Sequence, residues 1–137
     1  MIRPMTLNDY DALYALWNAS LTSARDLDDT RAGVERFLLR NPRTCVVAEE
    51  GGAIVGSILC GHDGRRGYLY HVAVDKAHRR GGIGQSMVQA CLDALRAEGI
   101  RKCALVAFTK NQEGNAFWEA MGFQARGDLY YRERGLE

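Results

Sequence analysis

"HRRGGIGQSM", His78 to Met87, is the stretch that decides the fold of this chain. Two arginines run into glycines at positions 81, 82 and 84, and a helical pattern begins at once. From Gly82 to Glu98, Ile83, Met87, Val88, Cys91, Ala94 and Leu95 share one face, and Gln85, Gln89, Asp93 and Arg96 lie elsewhere. Gly99 follows as the natural stop. "YLYHVAV", Tyr68 to Val74, comes just before and reads as a strand. The order is therefore strand, glycine loop, amphipathic helix. A tight turn needs one glycine, and a solvated surface needs none. Glycines at a helix start remove the Cβ atoms that would keep a guest away from the first N–H groups. Those groups have no intrahelical acceptor and lie at the positive end of the dipole. With Arg79 and Arg80 adding charge-assisted donors, the stretch predicts an anion site, best suited to a diphosphate.

Working outward, "MIRPMT" reads as a short edge strand ending at Pro4. Thr6 caps a helix with Leu13, Leu16, Trp17 and Leu21 on one face, broken at "SARDLDD". A second helix carries Val34, Phe37 and Leu38 and stops before Asn41-Pro42. "TCVVAEEGGAIVGSILCG" predicts a hairpin, and "HDGRRG" a second turn with Asp63 as turn former. "KCALVAF" predicts a central strand, Asn111 to Met121 a short helix stopped by Gly122, and "FQARGDLYYRE" a closing strand. A hairpin block followed by β-α-β-α-β predicts an α/β fold: a mixed sheet with helices on its faces.

The chain has 137 residues, enough for one domain spanning 1–137 that buries roughly two-thirds of its unfolded surface. The formal net charge is +1, so bulk charge points to neither nucleic acid nor a membrane surface. The N-terminal residues lack the apolar stretch of a signal peptide, and no apolar run approaches membrane-spanning length, so the expected location is the cytoplasm. The four cysteines, Cys45, Cys60, Cys91 and Cys103, lie in apolar stretches without metal-ligand spacing. They are expected to be reduced, buried thiols, and no metal is expected.

Which phosphate ligand? GxxxxGK[ST] and GxGxxG are both absent. Arg79-x-x-Gly82-x-Gly84, directly after Val72-Ala73-Val74-Asp75, instead resembles motif A of the GCN5-related N-acetyltransferase family. "NQEGNAFWEAMGF" resembles its motif B, with Asn111, Gly122 and Phe123 in frame. The two motifs cover Tyr68 to Phe123, and the element order fits as well. The resemblance implies that fold, with a mostly antiparallel sheet splayed between its fourth and fifth strands, and acetyl-CoA as co-substrate. Its diphosphate would lie on Arg79, Arg80, Gly81, Gly82, Ile83, Gly84 and Gln85, and its pantetheine along the backbone of Val72, Ala73 and Val74. Asn111 would bond the pantetheine or cap its helix.

The implied reaction is direct attack of a primary amine, on a small molecule or a protein, on the thioester within a ternary complex. A backbone N–H of the strand ending at Val74 is the implied oxyanion donor. Family members carry an assigned base at the positions of Tyr70 and Tyr68, but a tyrosine pKa of about 10 makes a poor base near neutrality. His71 titrates in the right range but is expected on the opposite strand face, as a base or a packing residue. Position 118, where the family often has a tyrosine acid, is Trp118, whose indole can donate a hydrogen bond but gives up no proton. Tyr130 and Tyr131 are the substitutes. Trp17, Asn18, "RDLDD" with Asp26, Asp28 and Asp29, and "HDGRRG" are candidates for acceptor choice. The acceptor amine is not named by the sequence, and either a monomer or a homodimer is compatible with it. The chain is similar to small stand-alone bacterial acetyltransferases of unassigned substrate. Two other readings remain open: an acyl-CoA-binding or sensing module on the same fold, and a phosphate-anchored interaction module without CoA.

Overall fold

The computed structural model describes residues 1–21 and 28–137. They form two compact units, Met1–Leu105 and Val106–Glu137. Asp26, one of the acceptor candidates, lies outside the described residues.

The first unit is built on a five-stranded sheet in the order β1-β2-β3-β4-β5. The strands are β1 (Ile2–Pro4), β2 (Val46–Glu50), β3 (Ala53–His62), β4 (Gly67–Val74) and β5 (Cys103–Ala104). The first three pairings are antiparallel and β4–β5 is parallel. Helices α1 (Tyr10–Ser20) and α2 (Arg31–Arg40) cover one face. Leu13, Leu16, Trp17 and Val34 pack there on Val47, Leu59 and Ala73. Helix α3 (Ile83–Ala97) covers the other with Met87, Val88, Cys91 and Leu95, the face its periodicity predicts. The sheet meets α3 closely: a Cβ at Gly56 would lie 2.8 Å from Met87 Cε, and one at Gly67 2.6 Å from Leu95 Cδ1. Cys45, Cys60 and Cys91 are buried free thiols, and burial pushes the Cys45 thiol up to about 12.

Two strand expectations are corrected. "KCALVAF" is not a central strand: only Cys103–Ala104 is extended, pairing with Gly67 and Tyr68 at the start of β4. With a ladder on one side alone, it is the sheet edge. The closing strand is also absent, since Phe123 to Glu137 contains no strand. Tyr130 is 88% exposed there. Aromatic and β-branched residues favour strands only where a neighbouring strand supplies pairing and cover, and Leu129 to Glu133 joins no ladder.

The second unit holds α4 (Gln112–Ala120). Asn111 caps it, its Oδ1 accepting the Gly114 N–H at 3.0 Å. Gly122, at φ +90°, ends it.

Candidate active site

Strand β4 is paired to β3 along its length but leaves β5 after Tyr68. The splay expected between these strands is therefore present, and from Leu69 to Val74 one edge of β4 has no strand beside it. The Asp75 N–H bonds the Val55 carbonyl at 2.8 Å, so Asp75 and, by alternation, Ala73 face β3. Val72 and Val74 then direct their backbone groups to the open edge. The Arg79 guanidinium reaches that edge, its Nε donating to the Val74 carbonyl at 3.0 Å. Ala73 is corrected by the same geometry: its side chain is buried and its backbone lies on the β3 side.

The loop that follows is shaped by its own polar groups. Asp75 Oδ2 accepts from the Ala77 N–H at 3.2 Å and bonds His78 Nδ1 at 2.9 Å. The His78 bond, first, and the Ala77 N–H hold this carboxyl below its ordinary range. Arg80 then adopts φ +67° and Gly82 φ +85°. Gly82 is the N-cap of α3 and provides no side-chain cap, and the first intrahelical bond runs from Ser86 N–H to the Gly82 carbonyl at 3.0 Å. The N–H groups of Ile83, Gly84 and Gln85 lie above that bond at the helix mouth. Arg79, Arg80, Gly81, Gly82 and Gln85 are exposed, and a Cβ at Gly82 would meet nothing within 4 Å. The mouth is open and without a side-chain cap, and Arg79 and Arg80 are exposed in the loop that leads into it.

Among the described residues only His71 and Arg80 are non-glycine residues at positive φ, the first within the open edge of β4 and the second in the loop after it. His71 sits in a β-bulge. Leu59 pairs with Tyr70 and Ser57 with Ala73, leaving His71 and Val72 together opposite Ile58. The bulge breaks strand alternation, and that corrects the expected placement of His71 on the face opposite Tyr70. Tyr70 packs edge-on to Phe37 of α2, and the His71 ring lies 4.9 Å from the Trp17 ring of α1, so both face α1 and α2. His71 Nε2 donates to Asp29 Oδ1 at 2.7 Å, the two side chains being 10% and 12% exposed.

Of the other candidates, Asp28 Oδ1 accepts from the Thr30 N–H at 3.1 Å and hydroxyl at 2.5 Å. Asp28 and Asp29 therefore both have internal partners. Asp63 is the expected turn former, its Oδ1 accepting the N–H groups of Arg65 and Arg66 at 2.8 and 2.9 Å. "HDGRRG" precedes the paired end of β4, so the strand separates it from the glycine loop by about 25 Å. A cleft of about 710 Å³ opens there, lined by Asp63, Gly64, Arg65, Arg66, Gly99, Arg101 and Lys102. In the second unit, Trp118 has Phe117 at 4.9 Å and Phe123 at 5.3 Å, both T-shaped, and Tyr131 donates to Glu133 Oε2 at 2.9 Å. The sequence reading missed the bulge, the pairing of Asp29 with His71 and the basic cleft. No spacing in the chain signals any of them.

Residues 10–123 match the family model described as the Acetyltransferase (GNAT) family. An acetyltransferase of Pectobacterium atrosepticum is 30% identical over 136 residues, covering 99% of this chain and 96% of its own length. The crystal structure of Ard1 from Thermoplasma volcanium matches with a TM-score of 0.82 and 25% identity, over 93% of this chain and 84% of that one. The PaiA N-acetyltransferase of Thermoplasma acidophilum in complex with coenzyme A shares the fold at a TM-score of 0.81 and 14% identity, over 92% and 90% of the two chains. No group of three or more His, Cys, Asp or Glu placed to hold a metal ion exists among the described residues. No helix among them is long and apolar enough to cross a membrane. The open edge of β4, the uncapped mouth of α3 and these likenesses converge: the chain belongs to the GCN5-related N-acetyltransferase family, enzymes that take their acyl group from acetyl-CoA.

Proposed function

We propose that the chain acts as one N-acetyltransferase domain moving the acetyl group of acetyl-CoA to a primary amine by direct attack in a ternary complex. The observation that carries this is the exposed, uncapped start of α3 beside the unpaired edge of β4. The diphosphate lies on the N–H groups of Ile83, Gly84 and Gln85, with Arg80 as a charge-assisted donor. Arg79 keeps the loop against the strand through Val74. The pantetheine runs along β4 and bonds the backbone of Val72 and Val74, much as an added strand would.

The neutral amine attacks the thioester carbon, forming the C–N bond. The oxyanion is held by an N–H of the open edge, worth roughly 3 kcal/mol of transition-state stabilisation for one well-placed donor. The C–S bond then breaks, and the proton lost by the amine balances the departing thiolate. A thiol pKa of about 8.5 makes that thiolate an acceptable leaving group without a side-chain acid, which suits Trp118. Tyr70 flanks the reacting edge. His71 is held through Nε2 by Asp29 and packed at a tilt against Trp17, so we assign it no proton transfer.

The indole at position 118 also favours a second reading, an acyl-CoA-binding module without catalysis. Calorimetry with acetyl-CoA, followed by thiol release across a panel of amines, separates the two. Amine-dependent release supports transfer. Tight binding with no release from any amine supports the binding module, and absence of binding removes both.

A further inference from the structure

We propose that Asp29 and His71 are positioning residues: their buried pair holds the β4 bulge that directs the Val72 N–H at the thioester carbonyl. This rests on acetyl-CoA lying along the open edge of β4.

His71 has φ +49°, a conformation that a residue with a Cβ adopts only when its surroundings impose it. Three contacts do so. Its Nε2 donates to Asp29 Oδ1 at 2.7 Å. Its ring lies 4.9 Å from that of Trp17. Its carbonyl accepts from Ser57 Oγ at 3.1 Å, and Ser57 Oγ in turn accepts from Trp17 Nε1 at 2.9 Å. Asp29 is itself anchored, its carbonyl accepting the Tyr10 hydroxyl at 2.6 Å. One bonded set therefore runs from α1, through Asp29 two residues before α2, to the strained residue of β4.

The extra residue shifts the alternation of β4. Tyr70 and Ala73 both face α1 and α2 although they are three positions apart, which a regular strand forbids. The phase set at His71 decides that Val72 presents its N–H to the open edge. A pair serving only the core would have no reason to act on the residue that carries the strain beside that N–H.

The reporter is discrimination between acetyl-CoA and S-ethyl-CoA, the thioether that keeps sulfur and chain length but lacks the carbonyl. It needs no acceptor. The wild type should prefer acetyl-CoA about fivefold, the size of one net hydrogen bond. His71→Ala should bring the ratio close to one, because alanine resists the left-handed backbone. His71→Gly should keep most of it, because glycine adopts that backbone freely. Asp29→Asn retains an acceptor oxygen and should hold the ratio, while Asp29→Ser is too short to reach Nε2 and should lose it. Free CoA, which has no carbonyl at this point, should bind all folded variants alike, and thermal melts identify the folded ones. Should His71→Ala fail to fold, the two Asp29 variants decide. A wild type that binds no CoA overturns the underlying reading and this inference with it. CoA binding with the same ratio in every folded variant, or a ratio lost equally in His71→Gly and His71→Ala, overturns this inference alone.

Discussion

Among the described residues, the starts of α2 and α4 are closed by a side chain, and the start of α3 is not. Thr30 accepts the Gly33 N–H at the head of α2, and Asn111 accepts the Gly114 N–H at the head of α4. Helix α1 has no side-chain cap at Asp9 either, but it runs on from the turn Leu7–Asp9, where Asp9 Oδ2 accepts the Thr6 N–H at 2.9 Å. At α3 the capping position is Gly82, in a left-handed conformation and without a side chain. Glycine at a capping position costs only about a few tenths of a kcal/mol relative to a side-chain cap. Where α2 and α4 close their starts with a side chain and α1 continues a turn, α3 begins open and exposed just after Arg79 and Arg80, which leaves its donors available to the proposed diphosphate.

The largest expected effect comes from closing the open end. Gly82→Asp places a carboxylate where the diphosphate binds and should weaken acetyl-CoA at least about a hundredfold, or 2.7 kcal/mol. Gly82→Val, without the charge, should cost about tenfold in affinity, together with about 1–2 kcal/mol of stability from a β-branched residue at φ +85°. Calorimetry and melting curves on the folded variants separate the two quantities. Unchanged affinity for both would make the α3 mouth an ordinary turn.

Next comes the turn that leads into α1. The Arg3 guanidinium bonds Asp9 at 2.8 and 3.0 Å. Burial raises the Asp9 pKa, but the Arg3 bonds and the Thr6 N–H outweigh it and hold this carboxyl below its ordinary range. A lowered folded pKa means the contribution is complete above the unfolded value of about 4 and disappears as pH falls through the folded one. Asp9→Asn should therefore lower stability by about 2 kcal/mol at pH 7, and the gap from wild type should close towards pH 2.5 in urea titrations. A gap independent of pH would remove the charge from the account.

Smaller again is Arg80→Ala, expected to weaken acetyl-CoA about tenfold. If Arg80 reaches the 3′-phosphate, dephospho-CoA binding should change less; equal losses place it on the diphosphate. Smallest are the caps. Thr30→Ala should lower stability by about 1 kcal/mol and leave acetyl-CoA affinity unaltered. Asn111→Ala should cost the same stability, and an added loss of affinity would reveal a pantetheine contact beside the cap.

The α3 mouth was legible because its signal is local: glycines, arginines and a helical period within one stretch of chain. The β2–β3 hairpin, around glycines at φ +57° and +82°, was legible for the same reason. The bulge was not, because His71 is held by Trp17, Ser57 and Asp29, which lie far from it in sequence and converge only once α1 packs on the sheet. A strict two-residue alternation therefore put His71 on the wrong face. "KCALVAF" failed differently: its composition describes a buried strand, but a strand also needs neighbours, and only Cys103 and Ala104 have one. The acidic acceptor candidates could not be sorted from sequence, because acidic residues in a connecting segment look the same whether they await a cation or, like Asp28 and Asp29, bond the fold itself.

The central claim is that the open start of α3 is a diphosphate seat and the closed ones are not. Backbone amide NMR on the wild type, titrated with acetyl-CoA, tests it directly. The account predicts saturable shifts at the N–H groups of Ile83, Gly84 and Gln85, reproduced in part by pyrophosphate alone, with no change at Arg31, Ala32 and Gly33 beneath the Thr30 cap. Saturable binding of acetyl-CoA that leaves the three α3 amides unmoved would contradict it.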